Sequence, residues 1–424
     1  PDYFTGTVRK KMQELKGNAG RGMVFPYAIA KTYSQSDYTS TFQGQWATGN
    51  SIQTPPRLPV GVSGFAAHTS DVKAIFTISF KSEFPAGEKI IKVFCDKTKN
   101  DYTLKICSGD ECVLILMDTL SSQTPYIEVR LKKLSNNVVF ELEKPGQSTS
   151  CFKLHGISIE NLNTGLLYHN LGVGGACFSA LLYQKYFENE MPFIGADLVI
   201  CDWGGNDFMY KNRVEPQLES IMIQTLQRIR KSLPNAVILI PSAQDINKKG
   251  KNVTAAKQYA ALARKVALEN NCLFYDWFVV SGGSRSMYKW SEYGIASKDN
   301  VHLNIKGYQL KGNLFVEAFL NSLNAYKNNL NPSSLLLNNG MFYLKDSIIN
   351  DSLIPNIKDS IDQQTKFKKT AKKTAKKRTF YKVKKGDTIA GIARKNRLTV
   401  RQLKAYNNLK GNSLKIGQRL ILSK

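Results

Sequence analysis

The stretch Ala-Asp-Leu-Val-Ile-Cys-Asp-Trp-Gly-Gly-Asn-Asp, residues 196–207, joins a short apolar run to a polar turn. The run predicts a buried strand, and the turn places the amide of Asn206 at the carboxyl edge of a sheet. Open α/β sheets bind their ligands at that edge. An amide in this position can donate a hydrogen bond to an oxyanion, although an ordinary Asx turn is the alternative interpretation.

A second stretch, Lys-Asp-Asn-Val-His-Leu at residues 298–303, lies directly before an apolar-periodic run that predicts a helix. Asp299 precedes His302 by three residues, so its carboxylate can accept a hydrogen bond from one ring nitrogen while the other nitrogen faces a cleft. This pattern is typical of the base and the orienting acid of a nucleophilic hydrolase. The alternative is a helix cap beside a chance histidine.

The third stretch is Tyr-His-Asn-Leu-Gly-Val-Gly-Gly-Ala, residues 168–176. Glycines after a strand allow backbone N–H groups to approach a ligand, and a helical pattern follows them. By themselves these glycines favour the alternative, a tight strand-to-helix turn.

Helix and strand patterns alternate between residues 166 and 325. Apolar runs at 236–241 and 272–276 predict buried strands, and amphipathic patterns at 216–232 and 253–269 predict the helices that precede them. Strands separated by helices form parallel sheets. We therefore expect an α/β domain with a doubly wound parallel sheet.

In their order and spacing, the three stretches resemble the sequence blocks of the SGNH (GDSL-type) hydrolases, which have a flavodoxin-like fold. The matching positions are Gly175, Gly204–Asp207 and Asp299–His302. The resemblance covers roughly residues 1–50 and 155–325.

This resemblance implies a carboxylic ester hydrolase that needs no cofactor. It implies that His302 is the general base and that Asp299 orients it. The backbone N–H of Gly175 and the side chain of Asn206 are the implied oxyanion donors.

The family's nucleophile is the serine of a Gly-Asp-Ser block at the end of the first strand, and this chain contains no such block. We therefore expect that the first strand and the nucleophile lie upstream of Pro1, and that the chain by itself is inactive. Should it prove active, Ser179 and Ser286 are the first nucleophiles to test. Tyr288 and Trp290 are candidates either for packing against a sugar or for the core.

Residues 57–160 show a different pattern. Seven strand-like runs are separated by turn signals at a spacing typical of an all-β sandwich. The region resembles a carbohydrate-binding module inserted into the hydrolase, with a structural lid as the alternative. We interpret His68 and His155 as ordinary residues of this region.

The last segment, residues 379–424, resembles a LysM domain with a βααβ fold through Val-Lys-Lys-Gly-Asp-Thr, Leu-Lys-Ala-Tyr-Asn-Asn and Ile-Gly-Gln-Arg-Leu. A generic βααβ domain is the alternative. The resemblance implies binding of peptidoglycan or another N-acetylglucosamine-containing glycan beside Gly386, Asp387 and Thr388. The predicted domains are 1–56 and 161–325 for the hydrolase, 57–160 for the β insertion, 326–378 for a linker and 379–424 for LysM.

The charge composition limits the classes of molecule that the protein is expected to bind. The net charge is +26, and residues 361–424 carry 20 lysines and arginines against two acidic residues. Such a tail favours polyanions. Nothing else indicates base recognition, so we expect no nucleic acid partner, and no feature indicates an oligomeric state.

Seven cysteines and four histidines without paired spacing argue against a zinc site. Cys107 and Cys112 can close a small loop in an oxidising compartment, and no apolar run reaches the ~20 residues of a membrane span. Together, the resemblances to the SGNH hydrolases and to LysM domains imply a periplasmic or secreted serine esterase that acts on acetylated cell-wall glycan. The alternatives are an esterase for another acetylated polysaccharide or lipid, and a non-catalytic wall-binding protein.

Overall fold

A computed structural model describes residues 2–328 except 98–99 and 118–122, and residues 380–422 except 385, 397, 408, 410, 412 and 415–416. The chain divides into two compact units, Pro1–Tyr343 and Leu344–Lys424, which are treated separately. Most of the predicted linker, residues 326–378, lies outside the described residues. Within the part of the chain that the structure describes, every helix is too short or too polar to cross a membrane.

In the described part of the first unit, residues 20–161 form two large antiparallel sheets. Their strands are β1 (Gly20–Val24), β2 (Tyr38–Gln43), β3 (Ala47–Asn50), β4 (Phe65–Thr69), β5 (Lys73–Phe80), β6 (Lys89–Cys95), β7 (Thr103–Ser108), β8 (Glu111–Leu116), β9 (Tyr126–Leu131), β10 (Asn137–Glu143) and β11 (Phe152–Asn161). One sheet has the order β3-β4-β11-β6-β9, and β1 also pairs with β11. The other has the order β2-β5-β10-β7-β8.

The two sheets share one hydrophobic core. Every second residue of β5 is buried, which is the pattern of a strand with one face on a core. Phe76 on β5 stacks on Phe140 of β10 with ring centroids 4.5 Å apart, and both belong to the same cluster as Val93 of β6. Cys107 and Cys112, directly opposite on β7 and β8, form a disulfide.

The start of this β region at residue 57 was wrong. Pairing of β1 with β11, β2 with β5 and β3 with β4 places residues 20–50 in the two sheets. The glycine-rich stretch 17–22 therefore runs into β1. Strands β2 and β3 are short, polar and at sheet edges, so they lack the apolar alternation that identifies a strand.

The remainder of the first unit is α/β. Its elements are α1 (Asp2–Lys16), a 3₁₀ helix (Phe178–Tyr183), α2 (Phe187–Ile194), β12 (Leu198–Ile200), α3 (Gly205–Phe208), α4 (Leu218–Ser232), β13 (Val237–Pro241), β14 (Asn247–Lys248), β15 (Lys251–Asn252), α5 (Ala255–Glu269), β16 (Leu273–Tyr275), α6 (Trp277–Val280), α7 (Ser286–Glu292) and α8 (Ile305–Lys327).

Strands β12, β13 and β16 form a parallel sheet in that order. The helices α4 and α5 connect them, as the alternating pattern predicts. Among the described strands β12 has only β13 as a neighbour, and its three apolar residues are half-buried.

The strand expected before the glycines of residues 168–176 is not found among the described residues. Leu166 forms a single bridge with Asn18. Its N–H donates to the carbonyl of Gly17, and its carbonyl accepts from the N–H of Ala19. Ala19 leads directly into β1, which pairs with β11. The pairing of Leu166 with residues 17–19 therefore does not extend into a strand.

The second unit has the predicted βααβ order. Its elements are β17 (Phe380–Lys382), α9 (Ile389–Lys395), α10 (Val400–Asn407) and β18 (Arg419–Ile421), and the two strands pair antiparallel. Ile392, Leu403 and Leu420 are buried together between the helices and the strands. Asn407 at the end of α10 accepts from the N–H of Ile421 and donates to its carbonyl, which fastens the closing strand to the helix.

Candidate active site

Asp299 and His302 form a hydrogen-bonded pair. The Asp299 Oδ2 atom lies 2.6 Å from the ring Nδ1 of His302. The other carboxylate oxygen accepts the backbone N–H groups of Val301 and His302, each at 3.0 Å. Partial burial raises the pKa of Asp299, but these hydrogen bonds outweigh it and the net shift is downward. The acid is therefore held ionised and fixed in its loop.

The pair is open to solvent. The side chains are 56% exposed for His302 and 50% for Asp299. A carboxylate at Nδ1 stabilises the tautomer in which Nδ1 carries the proton and Nε2 carries the lone pair. Among the described residues the Nε2 atom has no hydrogen-bond partner, so it is free to accept a proton from a reacting group.

Three contacts fix this loop at the carboxyl edge of the parallel sheet. Gln244, which follows β13, donates to the carbonyl of Val301 at 2.9 Å. The N–H of Asn247 donates to the carbonyl of Asn300 at 3.0 Å. Asn304 caps α8 by accepting the N–H of Gly307. His302 is therefore held between the end of β13 and the start of α8.

The Gly204–Asp207 block forms a tight turn into α3. Gly204 has φ +108°, and a Cβ there would overlap the ring of Tyr259, so only glycine fits. The side-chain N–H of Asn206 donates to the carbonyl of Ala176 at 3.1 Å. An amide has two N–H donors, so one remains for a ligand.

Gly175, next to Ala176, lies in a turn with φ +92°. Its N–H bonds to no described residue. Asp207 accepts the N–H of Phe178 at 3.3 and 3.4 Å, which makes a second tie between the two stretches. The structure thus brings Gly175 and Asn206, 31 positions apart in the sequence, into one corner.

The two halves of the site lie at the same edge of the sheet. Asp202, at the carboxyl end of β12, pairs with Lys311 of α8 at 3.2 Å. Asn206 follows Asp202 by four residues, and His302 lies directly before α8. Because carboxyl ends of parallel strands meet at one edge, both the amide and the imidazole lie there.

Two protein-family models match parts of this chain. The model of the family described as GDSL-like Lipase/Acylhydrolase matches residues 158–310. The chain contains a GDSL-like acylhydrolase domain. The LysM domain model matches residues 381–423, so the chain also contains a LysM domain. The match to an acylhydrolase family supports a carboxylic ester hydrolase.

One solved structure supports the fold of the acylhydrolase domain, and two others are similar to a smaller degree. A peptidoglycan O-acetylesterase matches with a TM-score of 0.63 and 23% identity, covering 76% of this chain and 88% of that protein. A salicylyl-acyltransferase from a tetracycline biosynthetic pathway matches with TM-score 0.28 and 15% identity over 69% and 97% of the chains. A family two carbohydrate esterase from Cellvibrio japonicus matches with TM-score 0.18 and 10% identity over 56% and 89%. No curated protein matches the sequence significantly.

The structure distinguishes between the alternatives for Trp290 and Tyr288 and argues against Ser286 as a nucleophile. Trp290 belongs to the core, because its Nε1–H donates to the carbonyl of Ser281 and its ring packs edge-on against Trp277. Ser286 is only 4% exposed, which excludes it as a nucleophile towards a glycan ester. Tyr288, in contrast, lies at the surface and donates to the carbonyl of Gly250.

In the LysM domain, two of the three residues expected at the glycan have structural partners. Asp387 accepts the N–H of Lys384 at 2.7 Å and the hydroxyl of Tyr381 at 3.0 Å. Thr388 caps α9 by accepting the N–H of Gly391 at 3.1 Å. Gly386 has φ +87° and no atom near its absent Cβ, so it shapes an open turn. These residues form the turn next to which the sequence predicts a bound glycan.

Proposed function

We propose that this protein is a serine esterase that removes acyl groups, most simply O-acetyl groups, from cell-wall glycan. The proposal is carried by one observation, the exposed Asp299–His302 pair at the sheet edge that also holds the Asn206 amide. A hydrogen-bonded acid and imidazole beside unpaired N–H donors suit acyl transfer.

In the proposed reaction, Nε2 of His302 takes the proton of a serine hydroxyl as its oxygen attacks the acyl carbonyl. The N–H of Gly175 and the free N–H of Asn206 bind the resulting oxyanion. His302 then gives the proton to the leaving sugar oxygen, and water hydrolyses the acyl-enzyme by the same route. Asp299 keeps the imidazole in the tautomer that can accept the proton.

The substrate class follows from the rest of the chain. LysM domains as a class bind glycans that contain N-acetylglucosamine, the solved O-acetylesterase acts on peptidoglycan, and the basic region of residues 361–424 suits an anionic polymer. The Cys107–Cys112 disulfide is compatible with an oxidising compartment, which supports a periplasmic or secreted protein. We infer that peptidoglycan is the substrate and that the LysM domain anchors the enzyme to it.

The two antiparallel sheets between α1 and the 3₁₀ helix are proposed to form an inserted sandwich that binds glycan or shapes the cleft. Residues Met23 and Phe94, from β1 and β6, pack in one cluster with Phe187 of α2. This continuous packing supports a fixed position of the sheets beside the acylhydrolase elements. With the corrected start, the proposed insertion spans residues 20–161.

The decisive experiment measures acetate release from O-acetylated peptidoglycan in two arms. One arm uses the chain as printed, and the other adds an N-terminal strand that carries a Gly-Asp-Ser block. Activity in the first arm locates the nucleophile within this chain, and activity only in the second locates it on the added strand. Whichever form releases acetate is called the active form below.

The same two arms separate the alternatives. Faster release from acetylated xylan or an acetylated lipid than from peptidoglycan would favour another esterase substrate. No release in either arm, with sedimentation on insoluble peptidoglycan retained, would favour a non-catalytic wall-binding protein. For the anchor, a variant lacking residues 379–424 should lose the part of its sedimentation that resists salt. Salt should weaken only the part of binding that depends on the lysines, since exposed charges are screened over about 8 Å.

A further inference from the structure

A small hairpin beside the candidate site carries three cations that have no acidic partner. Strands β14 and β15 and the turn between them hold Lys248, Lys249 and Lys251. None of the three forms an ion pair with a described residue. Nearby Lys211 and Arg213 differ, since both pair with Glu215. The hairpin therefore presents uncompensated positive charge to solvent.

The hairpin is fastened to the protein rather than projecting freely. Asn252 donates to the carboxylate of Asp245 at 2.6 Å. The hydroxyl of Tyr288 donates to the carbonyl of Gly250, at the turn of the hairpin, at 3.0 Å. Such ties hold the backbone of the hairpin in place and lower the entropy lost when it binds a ligand.

The hairpin contacts the catalytic loop on one side and the segment that follows Asn206 on the other. Its first residue, Asn247, donates its N–H to the carbonyl of Asn300, which directly follows Asp299. On the other side, Nζ of Lys248 lies 3.8 Å from the ring centre of Tyr210. Tyr210 follows Asn206 by four residues and is 72% exposed. A cation and an exposed aromatic ring therefore lie on the rim that joins the oxyanion corner to the catalytic loop.

We propose that this rim is a subsite for carboxylate groups on the glycan. The exposed ring of Tyr210 offers a face for a sugar, and the lysines lie where they can bind a carboxylate of the same chain. The subsite selects acidic glycans, such as peptidoglycan with free stem-peptide carboxylates, over neutral acetylated polysaccharides. This proposal rests on the proposed function, because the subsite can select substrates only if the esterase site lies beside it.

The first test maps the lysines directly and does not depend on catalysis. The full chain is labelled with an amine-reactive reagent, and the labelling rate of each lysine is measured by mass spectrometry. The probes are soluble peptidoglycan fragments with free carboxylates, and the same fragments after chemical amidation. We expect the free-acid fragments to slow labelling of Lys249 and Lys251, and not that of Lys10 and Lys16, exposed lysines on α1. Equal labelling with both probes would overturn the subsite.

The second test uses the active form and matched double variants. The ratio of kcat/KM for free-acid fragments to that for amidated fragments should fall about fivefold in Lys249→Gln/Lys251→Gln, the factor given by one charge pair at 4 Å in water. Lys10→Gln/Lys16→Gln should keep the ratio of the parent. An unchanged ratio in the hairpin variant, or stronger protection of the lysines by a phosphate polymer than by the free-acid fragments, refutes the carboxylate subsite. No acetate release in either arm of the experiment described under Proposed function would instead refute the esterase.

Discussion

Two histidine–carboxylate pairs in this protein have the same length and opposite surroundings. His302 and Asp299 are 2.6 Å apart, and their side chains are 56% and 50% exposed. His155 and Glu190 are also 2.6 Å apart, but each is only 2% exposed. The distance alone therefore does not distinguish a reactive pair from a structural one, whereas access to the second ring nitrogen does.

The buried pair joins two parts of the fold. One carboxylate oxygen of Glu190, on α2, is hydrogen-bonded to Nδ1 of His155, on β11. The other oxygen accepts the backbone N–H of Val62 at 2.7 Å. The ring of His155 stacks on Tyr186 with centroids 4.5 Å apart. Removing one member would leave the other buried without its partner, which is costly. The exposed pair forms hydrogen bonds only within its own loop. We therefore expect its removal to lower the catalytic activity and to leave the stability of the fold nearly unchanged.

The largest effect is expected for His302→Ala. Acetate release by the active form should fall by about four orders of magnitude or more, because no other group takes the nucleophile's proton. The free energy of unfolding in urea should change by less than about 1 kcal/mol, since the side chain is exposed. A variant that keeps a tenth of the parent activity would exclude His302 as the base.

Asp299→Asn should reduce kcat by a comparable or somewhat smaller factor, roughly two to four orders of magnitude. An amide can present its N–H₂ to Nδ1 and so stabilise the wrong tautomer, while the loop hydrogen bonds from Val301 and His302 can still form. The circular dichroism spectrum and the unfolding midpoint should match those of the parent. Wild-type kcat in a correctly folded variant would show that the carboxylate has no part in the reaction.

Glu190→Ala should lower the free energy of unfolding by about 3–5 kcal/mol, the usual effect of breaking a buried pair from one side. At temperatures where the variant is folded, acetate release should stay close to the parent value. Glu190→Gln is the matched control, because it keeps an acceptor for Val62 and should lose less stability. If Glu190→Ala unfolds with the parent's midpoint, the structural role of the buried pair is wrong.

Local patterns predicted the exposed pair well. Asp299 and His302 are three residues apart in one loop, so spacing alone indicates that they meet. The strands β12, β13 and β16 were predicted for a similar reason, since each is a continuous apolar run between amphipathic helices. The catalytic roles assigned to these residues, and to Gly175 and Asn206, stay predictions.

The sequence could not predict what depends on distant contacts. His155 and Glu190 are 35 residues apart, and Glu190 lies in the first turn of a helix, where an acidic residue usually faces water. Likewise, Gln244 and Asn247 hold the catalytic loop through backbone carbonyls, which leave no signature in residue type. Strands β2 and β3 were missed because polar edge strands resemble loops.

Asp207 tests an intermediate case, a carboxylate neither fully buried nor open, and the effect expected is the smallest. Burial raises its pKa to about 6, against the hydrogen bonds from backbone N–H groups. A raised carboxyl pKa stabilises the fold most below pH 3.8, and this contribution is lost as the pH rises through about 6. Asp207→Asn should remove this loss. The difference in unfolding free energy between variant and parent should therefore change by on the order of 1–2 kcal/mol from pH 4 to pH 7, in favour of the variant at the higher pH.

Histidines such as His169, whose pKa burial lowers to about 4, give the opposite slope, but they contribute equally to both proteins and cancel in the difference. A difference that is constant over this range would mean that Asp207 is already ionised at pH 4, and that the tie between Phe178 and the Asn206 turn is a charged one throughout.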